Sequence, residues 1–147
     1  MAQFSTGLRN GMLGTSSFKT LMDGSRLYLY SGTVPASADA ALGSATLLAT
    51  LTESGDGTTG LTFGTPSAGV ISKATAEVWS TASITTSGTA TFWRLAASGD
   101  AGGASTTEYR VQGTVGSVDA DMLLGDAALV SGQPFSLAYF NVALPTY

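Results

Sequence analysis

One short motif in this sequence has the spacing of a catalytic pair. Residues 16–19 read Ser-Ser-Phe-Lys, with a serine three positions before a lysine that could act as its base. Enzymes built on this pair also need Ser-Asp-Asn and Lys-Thr-Gly elements, and the sequence contains neither. We therefore interpret the segment as the start of a helix followed by a solvated lysine.

A second motif has the glycine spacing of a dinucleotide-binding loop. Residues 55–60 read Gly-Asp-Gly-Thr-Thr-Gly. Such a loop lies between a strand and a helix, because the phosphates bind at the helix N-terminus. The residues that follow, Leu-Thr-Phe at 61–63, are typical of a strand. We expect a hairpin tip at this position.

Three carboxylates lie close together near the end of the chain, at Asp119, Asp121 and Asp126. Carboxylate oxygens are good ligands for Ca²⁺, but an EF-hand loop requires acids at its first, third and fifth positions and glycine at the sixth. Leucines occupy the corresponding fifth and sixth positions here, Leu123 and Leu124. We predict a solvated surface loop and no metal site.

The composition excludes most classes of catalytic site. The chain of 147 residues has no His and no Cys, so it lacks the groups that titrate near neutral pH, form thiolates or hold metals through nitrogen and sulfur. Charged residues are 11%, against about 25% in an average protein. A net charge of −4 argues against nucleic acid as a partner, and no apolar run approaches the roughly 20 residues that span a membrane. We expect a non-enzymatic protein without a cofactor.

The N-terminal part of the chain differs from the rest in charge and in pattern. Residues 1–30 hold three basic residues and one acid, a net +2, whereas the remainder holds three basic residues and nine acids, a net −6. Ser5 or Thr6 could begin a short helix, and residues 17–22 a second one that ends at Asp23 and Gly24. We predict a helical arm at residues 1–25 that packs on a neighbouring subunit or on the domain's own sheet, with Arg9 placed against an acidic group. Its interface candidates are Phe4, Leu8, Arg9, Met12 and Leu13.

After residue 25 the pattern changes to short strands separated by Gly- and Ser-rich turns. Alternation of apolar and polar residues is clearest at 26–30 and 89–96. Further strands are predicted at residues 47–52, 61–63, 70–72, 77–79, 109–115, 127–130 and 135–144. Residues 34–45 are predicted to be a loop. This pattern predicts one all-β domain at residues 26–147, an antiparallel β-sandwich of jelly-roll or Ig-like type.

The aromatic residues allow two interpretations. Together with Arg94, the aromatic residues Trp79, Trp93 and Tyr109 could form a platform for sugars or bases. They could instead belong to the core of a sandwich or to an interface, which we favour. Phe92 and Arg94 lie on the opposite strand face from Trp93. An aromatic ring beside an arginine stem is typical of interfaces, so we add both residues to the interface candidates.

Several stretches resemble small structural proteins of tailed bacteriophages. They are Phe-Ser-Thr-Gly-Leu-Arg-Asn at residues 4–10, Leu-Tyr-Leu-Tyr-Ser-Gly-Thr-Val-Pro-Ala-Ser-Ala-Asp-Ala-Ala at 27–41, Leu-Leu at 47–48, Arg-Val-Gln-Gly-Thr-Val-Gly at 110–116 and Ala-Asp-Met at 120–122. The resemblance implies a protein of the virion, assembled in the cytoplasm of a bacterial host. It implies no catalytic or binding residue.

Together, the composition and the resemblance lead us to expect a capsid decoration, or cement, protein that binds the major capsid protein on the outside of the phage head. A tail, neck or head-fibre component is the first alternative, and a carbohydrate-binding module is the second. The low charge and the mean hydropathy of +0.24 also predict apolar surface that partners cover, and hence a homo-oligomer, for which we expect a trimer.

Overall fold

A computed structural model describes residues 1–145, so residues 146 and 147 of the predicted domain lie outside the described part. Both predicted helices are present, as α1 (Thr6–Gly14) and α2 (Phe18–Met22). Ser5 begins α1 by accepting a hydrogen bond from the Leu8 amide, and Ser17 begins α2 by accepting one from the Thr20 amide. These serine caps satisfy backbone donors that a helix start otherwise leaves free.

The rest of the described chain is mostly β-structure. The strands are β1 (Gln3–Phe4), β2 (Arg26–Ser31), β3 (Thr46–Glu53), β4 (Val70–Ser72), β5 (Trp79–Thr81), β6 (Gly88–Thr89), β7 (Phe92–Ala96), β8 (Arg110–Gly116), β9 (Met122–Leu123), β10 (Ala128–Leu129), β11 (Phe135–Leu137) and β12 (Asn141–Ala143).

One large sheet organises the molecule. Its strand order is β1-β8-β7-β2-β3-β5-β11, with every neighbouring pair antiparallel, and β9 lies parallel beside the end of β8. Two small antiparallel sheets, β6–β10 and β4–β12, complete the β-structure. The prediction of an antiparallel β fold with a short N-terminal helical segment is therefore confirmed at this level.

The strand predicted at residues 77–79 lies two residues later, as β5. Three other predicted strands differ from the observed ones because the chain changes partners inside them. Residues 61–63 make only isolated bridges, at Leu61 and Phe63. Residues 89–96 divide into β6, which pairs with β10, and β7, which pairs with β2. Residues 135–144 divide into β11 and β12, and Phe140 between them enters the core. Hydrophobic alternation does not reveal such exchanges of partner.

The core lies against the inner face of the large sheet, the face to which Trp93 points. Phe140 is its centre, with ring centroids 5.1 Å from both Trp79 and Trp93. Phe63 contacts Trp79 edge to face at 5.3 Å. Aliphatic side chains surround this cluster, among them Leu27, Leu29, Leu48, Leu51, Leu95 and Val111. The two tryptophans are therefore core residues, as the sequence pattern favoured.

The N-terminal segment is part of this packing. β1 adds to the large sheet beside β8, and the buried Ser5 hydroxyl donates to the Glu108 carbonyl and accepts from the Arg110 amide. Leu8 is fully buried in the core. Residues 1–25 thus pack on the domain's own sheet, which is one of the two placements predicted for this arm.

Candidate interaction surface

The outer face of the large sheet is buried around β7 and β8, where polar contacts predominate. Arg94 and Gln112 lie opposite each other on β7 and β8, and each is 1% exposed. Nη2 of Arg94 donates to the Gln112 side-chain oxygen at 2.5 Å and to the Ala40 carbonyl at 3.1 Å. The Gln112 amide donates to the Pro35 carbonyl at 2.9 Å.

A second buried arginine lies on the same face. Nε and Nη2 of Arg110 donate to the two carboxylate oxygens of Asp100 at 2.5 and 2.6 Å, and Nη1 donates to the Ala38 carbonyl at 3.3 Å. Burial raises the pKa of Asp100, but hydrogen bonds from Arg110 and the Gly102 amide, with the charges of both arginines, hold it below its usual value. Burial, together with the charge of Arg110, lowers the pKa of Arg94.

These side chains fix residues 32–45, which we call the clamped loop, through the carbonyls of Pro35, Ala38 and Ala40. The loop also holds the start of α1, because the Asp39 carboxylate accepts from the Thr6 amide at 2.8 Å and from its hydroxyl at 2.7 Å. Thr6, Asp39 and Arg110 come from the three longest stretches on which the phage resemblance rests. Those stretches therefore contact one another in the fold.

Phe92 and Arg94, two of the predicted interface residues, lie under the clamped loop. Phe92 is fully buried and stacks on Tyr30 with ring centroids 5.0 Å apart. Burial raises the pKa of Tyr30 to about 12. The contacts of Phe92 and Arg94 are internal to the chain, and neither side chain is available to a partner in this structure.

The five predicted N-terminal interface residues have different environments. Leu8 belongs to the core, whereas Leu13 is 88% exposed at the end of α1. Phe4 and Arg9 line one groove and Met12 lines a neighbouring pocket. The Arg9 guanidinium donates to the Thr6 hydroxyl at 2.9 Å, and its charge contributes to the lowered pKa of Asp39.

The groove beside Phe4 and Arg9, which we call the edge groove, has a volume of about 660 Å³. It separates β1 and β9 from the C-terminal segment 139–145. Leu137 of β11 also lines it, so the large sheet curves until its first and last strands border one groove. Four large side chains at its border are strongly exposed: Met1 at 104%, Leu123 at 64%, Tyr139 at 83% and Leu144 at 53%.

The neighbouring pocket, of about 290 Å³, contains the serine–lysine motif. Ser16, Ser17 and Lys19 line it together with mostly apolar side chains. The Lys19 ammonium donates to Asp23 at 2.7 Å and to the Phe63 carbonyl. Lys19 is thus held by a carboxylate and a carbonyl, and no hydrogen bond to Ser16 is found within residues 1–145.

The remaining sequence motifs have structural explanations. The Asp56 carboxylate accepts hydrogen bonds from the Thr58 and Thr59 amides and so closes the glycine-rich turn on itself. Asp121 accepts from the Thr114 amide and hydroxyl. Within the described residues, no group of three acidic side chains is arranged to hold a metal ion.

Two further observations concern possible binding surfaces. Trp79 and Trp93 are 0% and 3% exposed, so they present no ring face to a sugar. Neither of the described helices has the length and apolar character to cross a membrane. In the comparisons, no protein-family model, no curated protein and no solved structure matched this chain.

Proposed function

We propose that this protein is a non-enzymatic structural protein of a phage virion, and specifically a capsid decoration protein that binds the outer surface of the head. The observation that supports this proposal is the edge groove, where Met1, Leu123, Tyr139 and Leu144 are exposed together. A gathering of large apolar side chains on a chain with 11% charged residues is typical of a surface that a partner covers.

The free energy available from such a contact is substantial. Full burial of one large apolar side chain contributes about 1.5–3 kcal/mol, so a partner that covers two or three of these residues gains enough to offset part of the cost of association. Phe4 and Arg9 line the same groove and Met12 lines the neighbouring pocket, which supports an interface that includes the N-terminal segment. The partner we propose is the major capsid protein.

For the fold, we propose a β-sandwich in which the two small sheets face the inner side of the large sheet. Ile71 of β4, Leu129 of β10 and Val142 of β12 all belong to the same core as Trp93 and support this arrangement. The jelly-roll or Ig-like type stays a prediction.

A binding experiment with heads that lack this protein tests the function. Tyr139→Asp places a charge at the most exposed aromatic position of the edge groove, and Val78→Asp does the same at a side chain 53% exposed outside that groove. We expect Tyr139→Asp to weaken binding about ten-fold or more and Val78→Asp to leave it unchanged. Equal binding by wild type and Tyr139→Asp would contradict a role for the groove, and absence of wild-type binding would contradict the decoration role.

The alternative within the virion is a tail, neck or head-fibre component, for which the same groove would serve. Copy number distinguishes the two positions. Gold-labelled protein on purified particles should cover the whole shell for a decoration protein. Label confined to one vertex or to the tail would favour the alternative.

A further inference from the structure

The buried guanidinium of Arg94 on β7 has three nitrogens, and only two of them meet an acceptor. Nε and Nη2 donate to the Gln112 side-chain oxygen at 3.2 and 2.5 Å, and Nη2 also donates to the Ala40 carbonyl. Nη1 is buried and has no hydrogen-bond partner among residues 1–145. A donor removed from water without a new acceptor costs free energy, and a charged donor costs more. An acceptor placed at Nη1 would therefore stabilise the fold.

The planar shape of the guanidinium gives the direction of Nη1. Nε and Nη2 form the edge that faces Gln112 on β8, so Nη1 lies on the opposite side of the group. β2 is the neighbouring strand on that side, and Tyr28 is the residue of β2 paired with Arg94. Tyr28 is half-buried, whereas Gln112 is 1% exposed. The side of Tyr28 is therefore the shorter way from solvent to Nη1.

The charges around Arg94 do not balance. Two buried arginines, Arg94 and Arg110, lie on this face with one aspartate, Asp100, and both oxygens of Asp100 accept from Arg110. Among residues 1–145, no carboxylate forms a salt bridge with Arg94. One positive charge is therefore in excess beneath the clamped loop. A buried charge without a counter-charge is costly, so an anion is a better acceptor at Nη1 than a water molecule.

We propose that Arg94 binds a small monovalent anion, of the size and charge of chloride, beside Tyr28 and beneath the clamped loop. The anion accepts the hydrogen bond of Nη1 and reduces the repulsion between Arg94 and Arg110. Phe92, Arg94 and Gln112 are each at most 1% exposed, and such close packing favours a monatomic ion over phosphate or a carboxylate. The proposal does not depend on the virion function.

Bromide, which replaces chloride in such sites and scatters anomalously, tests the location of the anion. Crystals of the full chain are soaked in sodium bromide, and anomalous data are collected at the bromine absorption edge. We expect a peak within hydrogen-bond distance of Nη1 of Arg94, on the side of Tyr28. Absence of a peak there overturns the proposal, and so does density at Nη1 that has no anomalous signal, because it would show a water molecule.

Unfolding of the full chain in urea tests the same site in solution. Sodium chloride is varied against sodium gluconate at constant ionic strength, because gluconate is too large for the site. An anion bound only by the folded chain lowers the unfolding equilibrium constant about ten-fold for each ten-fold rise in chloride above saturation. We expect this dependence in the wild type. Equal unfolding of the wild type in the two salts overturns the proposal.

Two variants separate binding at Arg94 from general effects of salt. Arg94→Met removes the proposed donor, and Arg9→Met removes a positive charge at an exposed residue elsewhere. The dependence on chloride should be lost in Arg94→Met and kept in Arg9→Met. If Arg94→Met does not fold, the bromide peak and the titration of the wild type still decide the question. A chloride dependence in Arg94→Met equal to that of the wild type would overturn the assignment to this arginine.

Discussion

Both faces of the large sheet are buried around β7 and β8, and different kinds of contact predominate on each. On the inner face, aromatic rings and leucines pack around Phe140. On the outer face, Arg94, Arg110 and Gln112 donate hydrogen bonds to backbone carbonyls of the clamped loop. The inner face gains free energy from area removed from water, whereas the outer face gains it only when each donor meets its acceptor.

The difference between the two faces indicates what each one contributes to the fold. Apolar contacts have no preferred direction, so the inner face tolerates several arrangements of similar volume. The directed contacts of the outer face specify the position of the clamped loop and, through Asp39, the start of α1. Buried ion pairs add little net stability compared with apolar residues, so we infer that Arg110 and Asp100 mainly specify one loop conformation.

The largest loss of unfolding free energy is expected from the substitution Arg110→Met. The substitution leaves the Asp100 carboxylate buried, with the Gly102 amide as its remaining hydrogen-bond donor. Removing one partner of a buried ion pair lowers the free energy of unfolding by about 3–5 kcal/mol. Urea denaturation of the variant and the wild type measures this loss.

The double variant Arg110→Met with Asp100→Leu serves as the control for Arg110→Met. Removing both charges should restore most of the lost unfolding free energy. The backbone amide hydrogens of residues 32–45 should nevertheless exchange faster than in the wild type. If the double variant is as unstable as the single one, the pair contributes stability directly, and the contrast between the two faces is wrong.

A somewhat smaller loss is expected on the inner face from Leu29→Ala. Leu29 is fully buried in the core, and the truncation removes transfer free energy and leaves a cavity, at a cost of about 2–4 kcal/mol. Hydrogen exchange in the clamped loop should stay as in the wild type under native conditions, because no directed contact is lost. Faster exchange there would show that the two faces are coupled through the sheet.

Much of the inner face could be predicted from the sequence. Strand β7 alternates Trp93 and Leu95 with Phe92 and Arg94, and the helix starts at Ser5 and Ser17 follow local capping rules. These signals depend on neighbours along the chain. The division of 89–96 and 135–144 between different partners depends on distant strands, so alternation could not reveal it.

The outer face was harder to predict, because an arginine in an alternating strand normally indicates a surface. Arg94 was predicted to lie at an interface because its stem shares a strand face with the aromatic ring of Phe92, and it lies under the clamped loop. One signal was present: Arg94, Arg110 and Gln112 fall on one face when β7 and β8 are paired. The carbonyls that accept their hydrogen bonds belong to a loop 54 to 77 residues away, which no local pattern indicates.

A third, smaller loss of unfolding free energy is expected at Gly113 of β8, which lies opposite Trp93 on the inner face. An added Cβ would lie 2.7 Å from the Trp93 indole, which crosses over this position. Alanine normally stabilises a strand relative to glycine, but here the rigid ring has to shift within the core, at a cost of about 1–3 kcal/mol. Thermal unfolding measures the loss, and Gly125→Ala, where an added Cβ meets nothing within 4 Å, is the matched control.

The smallest loss of unfolding free energy is expected from substituting Asp39, which connects the clamped loop to α1. Hydrogen bonds from Thr6 lower the pKa of Asp39, so the stability it contributes is present above the unfolded pKa of about 3.9 and is lost as pH falls through the folded value. Asp39→Ala removes an acceptor from the helix start and should cost about 1 kcal/mol at pH 7. The difference from wild type should shrink as the pH falls from about 3.9 toward the lower folded pKa, below which the carboxyl is protonated in both states. A difference that stays constant down to pH 2 would mean that Asp39 acts through packing and not through its charge, and the clamped loop would then hold α1 by shape alone.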